Sequence, residues 1–175
     1  MDATTLQQYL SLHLFPHITN NQRVRLLQSS GSVSGLWQLL AQSTQEPFAE
    51  PDLNSAIAGL RRWCQQPPNR DIERHTALVD KLKLQVISIV DELYPPLLRV
   101  IPSPPALLYC RGDVRCLAAA QLAMVGSRKA SPTGLRCARE FSVAAAQHGL
   151  TVTSGLAIGV DAEAHRAALA AGGDT

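Results

Sequence analysis

Apolar residues recur every three or four positions along the first third of the chain, which predicts a series of short helices. The inner face of the first helix would consist of Leu6, Tyr9, Leu10 and Leu14. A second helix is predicted with Asn20 or Asn21 as its cap, and two more helices are predicted to begin at Gly35 and at about Leu53. Helices this short are stable only when they bury their apolar faces against one another. We therefore expect a helical domain over residues 1–66.

The pattern changes after a Gln-Gln-Pro-Pro-Asn segment that ends the fourth helix and places a domain boundary near residues 66–70. A helix from Asp71 to Leu82, which Asp71 could cap, precedes a predicted strand from Val86 to Val90. A helical turn is predicted over 94–100. The prolines that follow favour an extended path into a second strand over 107–110.

From residue 117 onward the pattern is typical of an α/β fold. Strands are predicted over 121–125 and 150–153, and helices over 132–148 and from Gly159 to about residue 172. Ser131 followed by Pro132 predicts the start of the first of these helices. Strand–helix–strand–helix in this order predicts parallel strands with a right-handed crossover. The predicted fold class is α/β, with a helical N-terminal domain and a Rossmann-like parallel sheet over 67–175.

The predicted parallel sheet is small, since it has only two strands. Parallel sheets are normally larger and covered on both faces. A further strand would be expected after Gly172 and Gly173, where only two residues remain. We therefore expect the chain to be incomplete at its C-terminal end.

The composition argues against a membrane-spanning or secreted protein. Apolar residues make up 46% and charged residues 17% of the chain, no apolar run has the length of a membrane span, and the first residues lack the pattern of a signal peptide. The expected compartment is the cytoplasm. The net charge of +2 divides into −2 for residues 1–60, +6 for 61–140 and −2 for 141–175. The basic middle segment is compatible with a polyanionic partner.

Two loops form the candidate ligand-binding site of this chain. They cover 125–131 and 153–161, where each predicted parallel strand meets its helix, and ligands of open α/β sheets bind at this edge. Helix N-termini, arginine and lysine side chains, hydroxyl groups and closely approaching glycines all suit a phosphate there. The predicted phosphate-binding residues are Gly126, Ser127, Arg128, Lys129, Ser154, Gly155 and Gly159. Glycine at such turns is also common for purely steric reasons.

Neither loop has the fingerprint of a dinucleotide site or of a P-loop. Asp161 and His165 are four residues apart and would share a helix face, so an acid–base pair is conceivable. The favoured interpretation is structural, with Asp161 as a helix cap and His165 paired with it or packed inward, because no nucleophile or set of metal ligands accompanies them. The four cysteines have no C-x-x-C spacing. We predict no catalytic residue, metal or cofactor.

Three segments resemble the DprA/Smf (DNA-processing protein A) family. They are a lead-in with Tyr94-Pro95 and Ile101-Pro102-Ser103-Pro104-Pro105, then Met124-Val125-Gly126-Ser127-Arg128-Lys129-Ala130-Ser131, then Ser154-Gly155-Leu156-Ala157 with Gly159, Asp161 and His165. The resemblance covers about 90–175. Residues 1–66 resemble the SAM-like helical domain of the family only loosely, because Pro16-His17-Ile18-Thr19 replaces the expected glycine-rich hairpin.

The resemblance implies a protein of natural transformation rather than an enzyme. Such proteins have an extended Rossmann-like domain, form dimers, bind single-stranded DNA without sequence preference and help load the RecA recombinase. By motif, Gly126, Ser127 and Arg128 would lie in the DNA-phosphate pocket, facing the second loop. The family domain continues past Thr175 with further basic and aromatic residues, and neither loop here holds an aromatic residue. The alternative is a Rossmann-like enzyme acting on a nucleotide or nucleoside phosphate.

Overall fold

The computed structural model describes residues 1–42, 47–65 and 70–175. These residues divide into two compact units, Met1–Val114 and Arg115–Thr175. The domain boundary predicted near 66–70 falls almost wholly outside the described residues and stays a prediction.

The first unit begins with five helices. They are α1 (Ala3–Leu14), α2 (Asn20–Ser30), α3 (Val33–Gln42), α4 (Pro51–Cys64) and α5 (Arg70–Leu82). Their buried faces supply a leucine-rich core, in which Leu10, Leu26, Leu27, Leu36 and Leu60 are completely enclosed. The predicted helices are confirmed, although α3 and α4 each begin two residues earlier than expected.

The start of α2 corrects the predicted cap. Thr19, rather than Asn20 or Asn21, caps the helix in a capping box. Its hydroxyl accepts from the Gln22 N–H at 3.2 Å, and Gln22 Oε1 accepts from the Thr19 N–H at 2.9 Å. Asn20 is the first helical residue, and its amide has a different role. It donates to the Pro104 carbonyl oxygen at 2.7 Å and accepts from the Ala106 N–H at 3.2 Å. Asn20 therefore fastens the proline-rich segment to the helices.

Two other local expectations are corrected in the same unit. Leu12 is buried in α1, whereas Leu14 is only half-buried, because α1 has core contacts on more than one side. Asp71 lies in the first turn of α5, which begins at Arg70, so Asp71 is not its cap.

Strands β1 (Gln85–Ser88) and β2 (Leu107–Cys110) pair antiparallel, with Gln85 opposite Cys110. β1 is shorter than predicted because the Ser88 N–H donates to Asp91 Oδ2 at 2.7 Å, which starts a turn. The short helix α6 (Pro96–Arg99) lies between the strands, as the sequence indicated. The extended path after it is held by the buried Tyr94, whose hydroxyl donates to the Pro105 carbonyl oxygen at 2.8 Å.

The second unit is a parallel β–α–β–α arrangement. A 3-10 helix over Val114–Ala118 leads into β3 (Gln121–Ala123), α7 (Pro132–Gln147), β4 (Thr151–Thr153) and α8 (Val160–Ala170). β3 and β4 are parallel neighbours, as predicted, with Gln121 opposite Thr151. Both helices pack against β4 and against each other. Small side chains permit this close packing, and the core consists of Ala145, Val152, Ala164 and Ala168.

Candidate functional site

The two glycine-rich loops start side by side at the carboxyl edge of the parallel sheet. The Met124 N–H donates to the Thr153 carbonyl oxygen at 2.8 Å, which extends the ladder one residue past β3. The Ser154 hydroxyl then donates back to the Met124 carbonyl oxygen at 2.7 Å. The seven residues of the predicted phosphate site therefore belong to two adjoining loops at one edge.

Gly159 joins the two loops at a point where no other residue fits. Its φ of +88° is in the region that favours glycine, and a Cβ there would lie 2.3 Å from the Ser127 carbonyl oxygen. The following N–H, that of Val160, donates to the same oxygen at 3.2 Å. The sequence left open a purely steric reason for glycine at this position, and the structure shows one, since a side chain here would clash with the first loop.

Gly126 has a related steric role on the first loop. A Cβ at Gly126 would lie 2.7 Å from Cγ2 of Val160, so the absence of a side chain lets this loop pass the start of α8. The phosphate roles predicted for Gly126 and Gly159 stay predictions, and both glycines are already required by the contact between loops.

The second loop folds around a buried carboxylate. Asp161, in the first turn of α8, accepts from the N–H of Gly155 at 3.1 Å and from the N–H of Ala157 at 3.4 Å, both at Oδ2. Leu156 lies between these two donors with a φ of +57°. Successive N–H groups that converge on one anion form a nest, a backbone concavity suited to anions. In this chain the nest already holds the carboxylate of Asp161.

His165 has a different partner. Its Nδ1 hydrogen-bonds to the hydroxyl of Thr175, which donates in turn to the Val152 carbonyl oxygen at 2.7 Å. The threonine hydroxyl has one proton, so Nδ1 must be the donor to it. Asp161 therefore holds loop backbone and His165 a threonine side chain, and the two do not pair with each other. The predicted role of Asp161 as a helix cap is wrong, because Gly159 is at the N-cap position of α8 and Asp161 accepts from loop residues ahead of the helix.

At the carboxyl edge of the parallel sheet, the unpaired cationic side chains of the described residues lie on the first loop. Arg128 and Lys129 are exposed, and within the described residues neither forms an ion pair. The Lys129 N–H donates to the Ser127 hydroxyl at 3.1 Å, which orders the loop locally. By contrast, Arg139 and Arg166 both pair with Glu163. The first loop is therefore the place where an anion would meet two uncompensated cations.

Two of the predicted phosphate donors on the second loop are already engaged. The Ser154 proton is directed to Met124 and the Gly155 N–H to Asp161. At the carboxyl edge, the first loop therefore carries the unpaired positive charges, whereas these hydrogen-bond donors of the second loop are used within the protein. Sequence reasoning missed this division because it depends on contacts between residues up to 30 positions apart.

Sequence reasoning also missed three exposed apolar side chains on the loops. Val125, Leu156 and Ile158 are 83%, 80% and 70% exposed. The available signal was their apolar character within otherwise polar, glycine-rich loops.

Two classes of feature are not found among the residues that the structure describes. No cluster of three or more histidine, cysteine, aspartate or glutamate side chains could hold a metal ion there. In the same ranges, no helix combines the length and apolarity that a membrane crossing requires.

The fold and the loops together define a Rossmann-like α/β protein with a helical segment earlier in the sequence and a candidate anion site at the sheet edge. The chain belongs to the DNA recombination-mediator protein A family, whose model matches residues 85–175. The family resemblance and the predicted fold class are thereby confirmed.

Named relatives agree with this assignment. The chain is 39% identical to protein Smf of Escherichia coli (strain K12) over 106 residues, which are 61% of this chain and 28% of that protein. It is 38% identical over 93 residues to the DNA processing protein DprA of Streptococcus pneumoniae, covering 53% of this chain and 33% of that one. The chain thus spans about a third or less of these relatives.

A solved structure supports the fold over nearly the whole chain. The X-ray structure of DNA processing protein A from Streptococcus pneumoniae superposes with a TM-score of 0.62 at 26% identity. The match covers 99% of this chain and 56% of that chain. It therefore includes the N-terminal helices, which lie outside the segment that the family model matches.

Proposed function

We propose that this chain binds single-stranded DNA without sequence preference, as part of a protein that mediates recombination during DNA uptake in natural transformation. The observation that carries the proposal is the pair of exposed, unpaired cations, Arg128 and Lys129, on the glycine-rich loop ahead of α7. Relatives named for DNA processing point to a nucleic-acid backbone as the anion.

Side chains rather than helix N–H groups would supply most of the binding. At the start of α7, Pro132 has no N–H and the N–H of Gly134 already donates to the Ser131 hydroxyl. Arginine can grip a phosphate with two donors, and lysine adds a mobile point charge. Contacts of this kind position a nucleic-acid backbone and carry no sequence information.

The proposal includes the partners of the longer protein. We propose RecA as the recombinase that receives the bound strand, a second copy of the chain as a dimer partner, and the cytoplasm as the location. An enzyme acting on a nucleotide finds less support, because the Asp161 carboxylate is engaged by loop backbone and His165 is bonded to the Thr175 hydroxyl, so the two do not form an acid–base pair.

The test is a salt titration of DNA binding by the 175-residue chain, followed by fluorescence anisotropy. Two unrelated single-stranded oligonucleotides and a mononucleotide serve as ligands. Arg128→Ala should weaken binding of both oligonucleotides equally and reduce the slope of log affinity against log salt by about 0.7 per lost phosphate contact. Arg74→Ala, an exposed arginine on α5, is the control for net charge and should retain wild-type affinity.

Unchanged affinity on replacing Arg128 would remove this loop from the site. Saturable mononucleotide binding that is lost on replacing Asp161 or His165 would instead favour the enzyme. Equal effects of Arg74→Ala and Arg128→Ala would mean that only the overall charge attracts DNA.

A further inference from the structure

The carboxyl edge of the parallel sheet presents an apolar rim, which we define as Val125, Leu156 and Ile158. Each of these side chains is at least 70% exposed. Single exposed apolar residues are common on proteins, but a group of them beside a ligand edge marks an interaction surface. The first member follows β3 on the first loop and the other two lie on the second loop.

Leu156 is the most unusual member of the apolar rim. Its φ of +57° is a conformation that glycine or asparagine adopts much more readily than leucine. The strain is maintained because the N–H groups on either side of it converge on Asp161. The position therefore combines a strained backbone with a side chain that gains no burial within the described fold. Such outliers cluster at ligand contacts.

The apolar rim and the free cations belong to one surface. Gly159, the neighbour of Ile158, lies against the backbone of Ser127 and Arg128, where its Cβ position is 2.8 Å from the Arg128 carbonyl oxygen. A ligand that covers this edge would meet positive charge and apolar side chains together. Single-stranded nucleic acid combines an anionic backbone with unpaired, largely apolar base faces, whereas a duplex hides those faces.

We infer that the apolar rim contacts the unpaired bases of single-stranded DNA while Arg128 and Lys129 hold its phosphates. This inference rests on the proposed function and adds the feature that would distinguish single strands from duplexes. Burial of apolar surface is non-directional, so contacts of aliphatic side chains with base faces are consistent with binding that lacks sequence preference.

The experiment compares a thymidine oligonucleotide with an abasic oligonucleotide of the same length, both binding to the 175-residue chain. The test variant is Leu156→Asn with Ile158→Ser. Asparagine tolerates the left-handed backbone, so the second loop should keep its shape. Ile158→Ser alone is the fallback if the double variant does not fold. Leu169→Asn is the matched control, because Leu169 is 63% exposed on α8, eight residues beyond the second loop.

The wild-type chain should prefer the thymidine oligonucleotide by about fivefold, which corresponds to burying about 40 Å² of apolar surface. The double variant should bring this ratio close to one with the salt dependence unchanged, and Leu169→Asn should keep it. Arg128→Ala should weaken both ligands and leave the ratio intact.

The possible failures are distinguishable. Equal wild-type affinity for the two oligonucleotides, or a ratio that survives the double variant, overturns the base contact and leaves the proposed function standing. A double variant that changes only the sedimentation of the free protein also overturns it and assigns the apolar rim to contacts between copies. A wild-type chain that binds neither oligonucleotide overturns the proposed function itself.

Discussion

Gly159 and Gly172 both have positive φ, at +88° and +76°, yet they differ in their surroundings. The space around Gly172 is open, with no atom within 4 Å of its Cβ position. At Gly159 the same position is blocked by two carbonyl oxygens of the first loop. Comparing the two glycines separates the free-energy penalty of a left-handed backbone from the penalty of a steric clash with a Cβ atom.

Replacing Gly172 with alanine should reduce the free energy of unfolding by about 1 kcal/mol, because only the left-handed conformation is penalised. Gly159→Ala should cost at least about 3 kcal/mol, because the first loop must also move away. Urea unfolding monitored by circular dichroism measures both. Losses of equal size would contradict the contact that we assign to Gly159.

At the residue scale, sequence could identify the two loops that meet at the sheet edge but not the different contacts that their residues make. Arg128 and Gly159 stand out because of their place after a predicted strand. The roles of Asp161 and Leu156 do not stand out in the sequence. A carboxylate where a loop enters a helix is compatible with a helix cap, a ligand-binding group or a catalytic group. Only the folded loop shows that its oxygen accepts from both neighbours of Leu156.

At the element scale, α7 and α8 are joined by one buried carboxylate. Glu163, buried on α8, accepts from Arg139 Nε of α7 at 2.6 Å and from Arg166 of its own helix at 3.1 Å. Both arginine side chains are more than 60% exposed, so solvent screens the attraction. The hydrogen bonds to a buried acceptor should still orient the two helices.

Glu163→Gln should therefore lower the free energy of unfolding by about 1 to 2 kcal/mol, since a charged acceptor of two hydrogen bonds is lost. Glu140→Gln is the matched control, because Glu140 lies 3.9 Å from Arg136 on an exposed helix face. Its effect should be below about 0.5 kcal/mol. Thermal unfolding at low and high salt compares the two variants, and similar losses would show that burial of Glu163 is unimportant.

Helices were predictable from periodicity because their hydrogen bonds and their apolar faces are local. The ends of elements were less so: Thr19 rather than Asn20 caps α2, and β1 ends early at the Asp91 turn. The antiparallel pairing of β1 with β2 could not be derived either, since nothing local specifies the partner of a four-residue strand.

At the scale of the whole molecule, each compact unit has a hydrophobic core of its own. The core of the first unit is rich in leucine, and that of the second is built around Val152 and alanines. Truncating a large, deeply buried side chain removes more stability than truncating a small one, so core substitutions should reduce the free energy of unfolding more in the first unit. The alanine-rich core of the second unit depends on close backbone approach instead.

Leu26→Ala should destabilise the first unit by about 2 to 5 kcal/mol, because Leu26 is completely buried. The amide of Val152, in the second unit, should keep its protection against hydrogen exchange. Exchange measured by mass spectrometry on both units tests this independence. A parallel loss of protection at Val152 would mean that the two units unfold as one.

The carboxylate that fills the nest at residues 155–157 has a kinetic consequence. Asp161 fixes this segment when the protein folds, so its conformational entropy is lost before any ligand arrives. Under the proposed function, a DNA strand would dock on a surface that is already ordered, and such preorganisation lowers the entropic penalty of association. The rate of capture should then follow collision frequency and the long-range field of the free cations, without a slow rearrangement of the second loop.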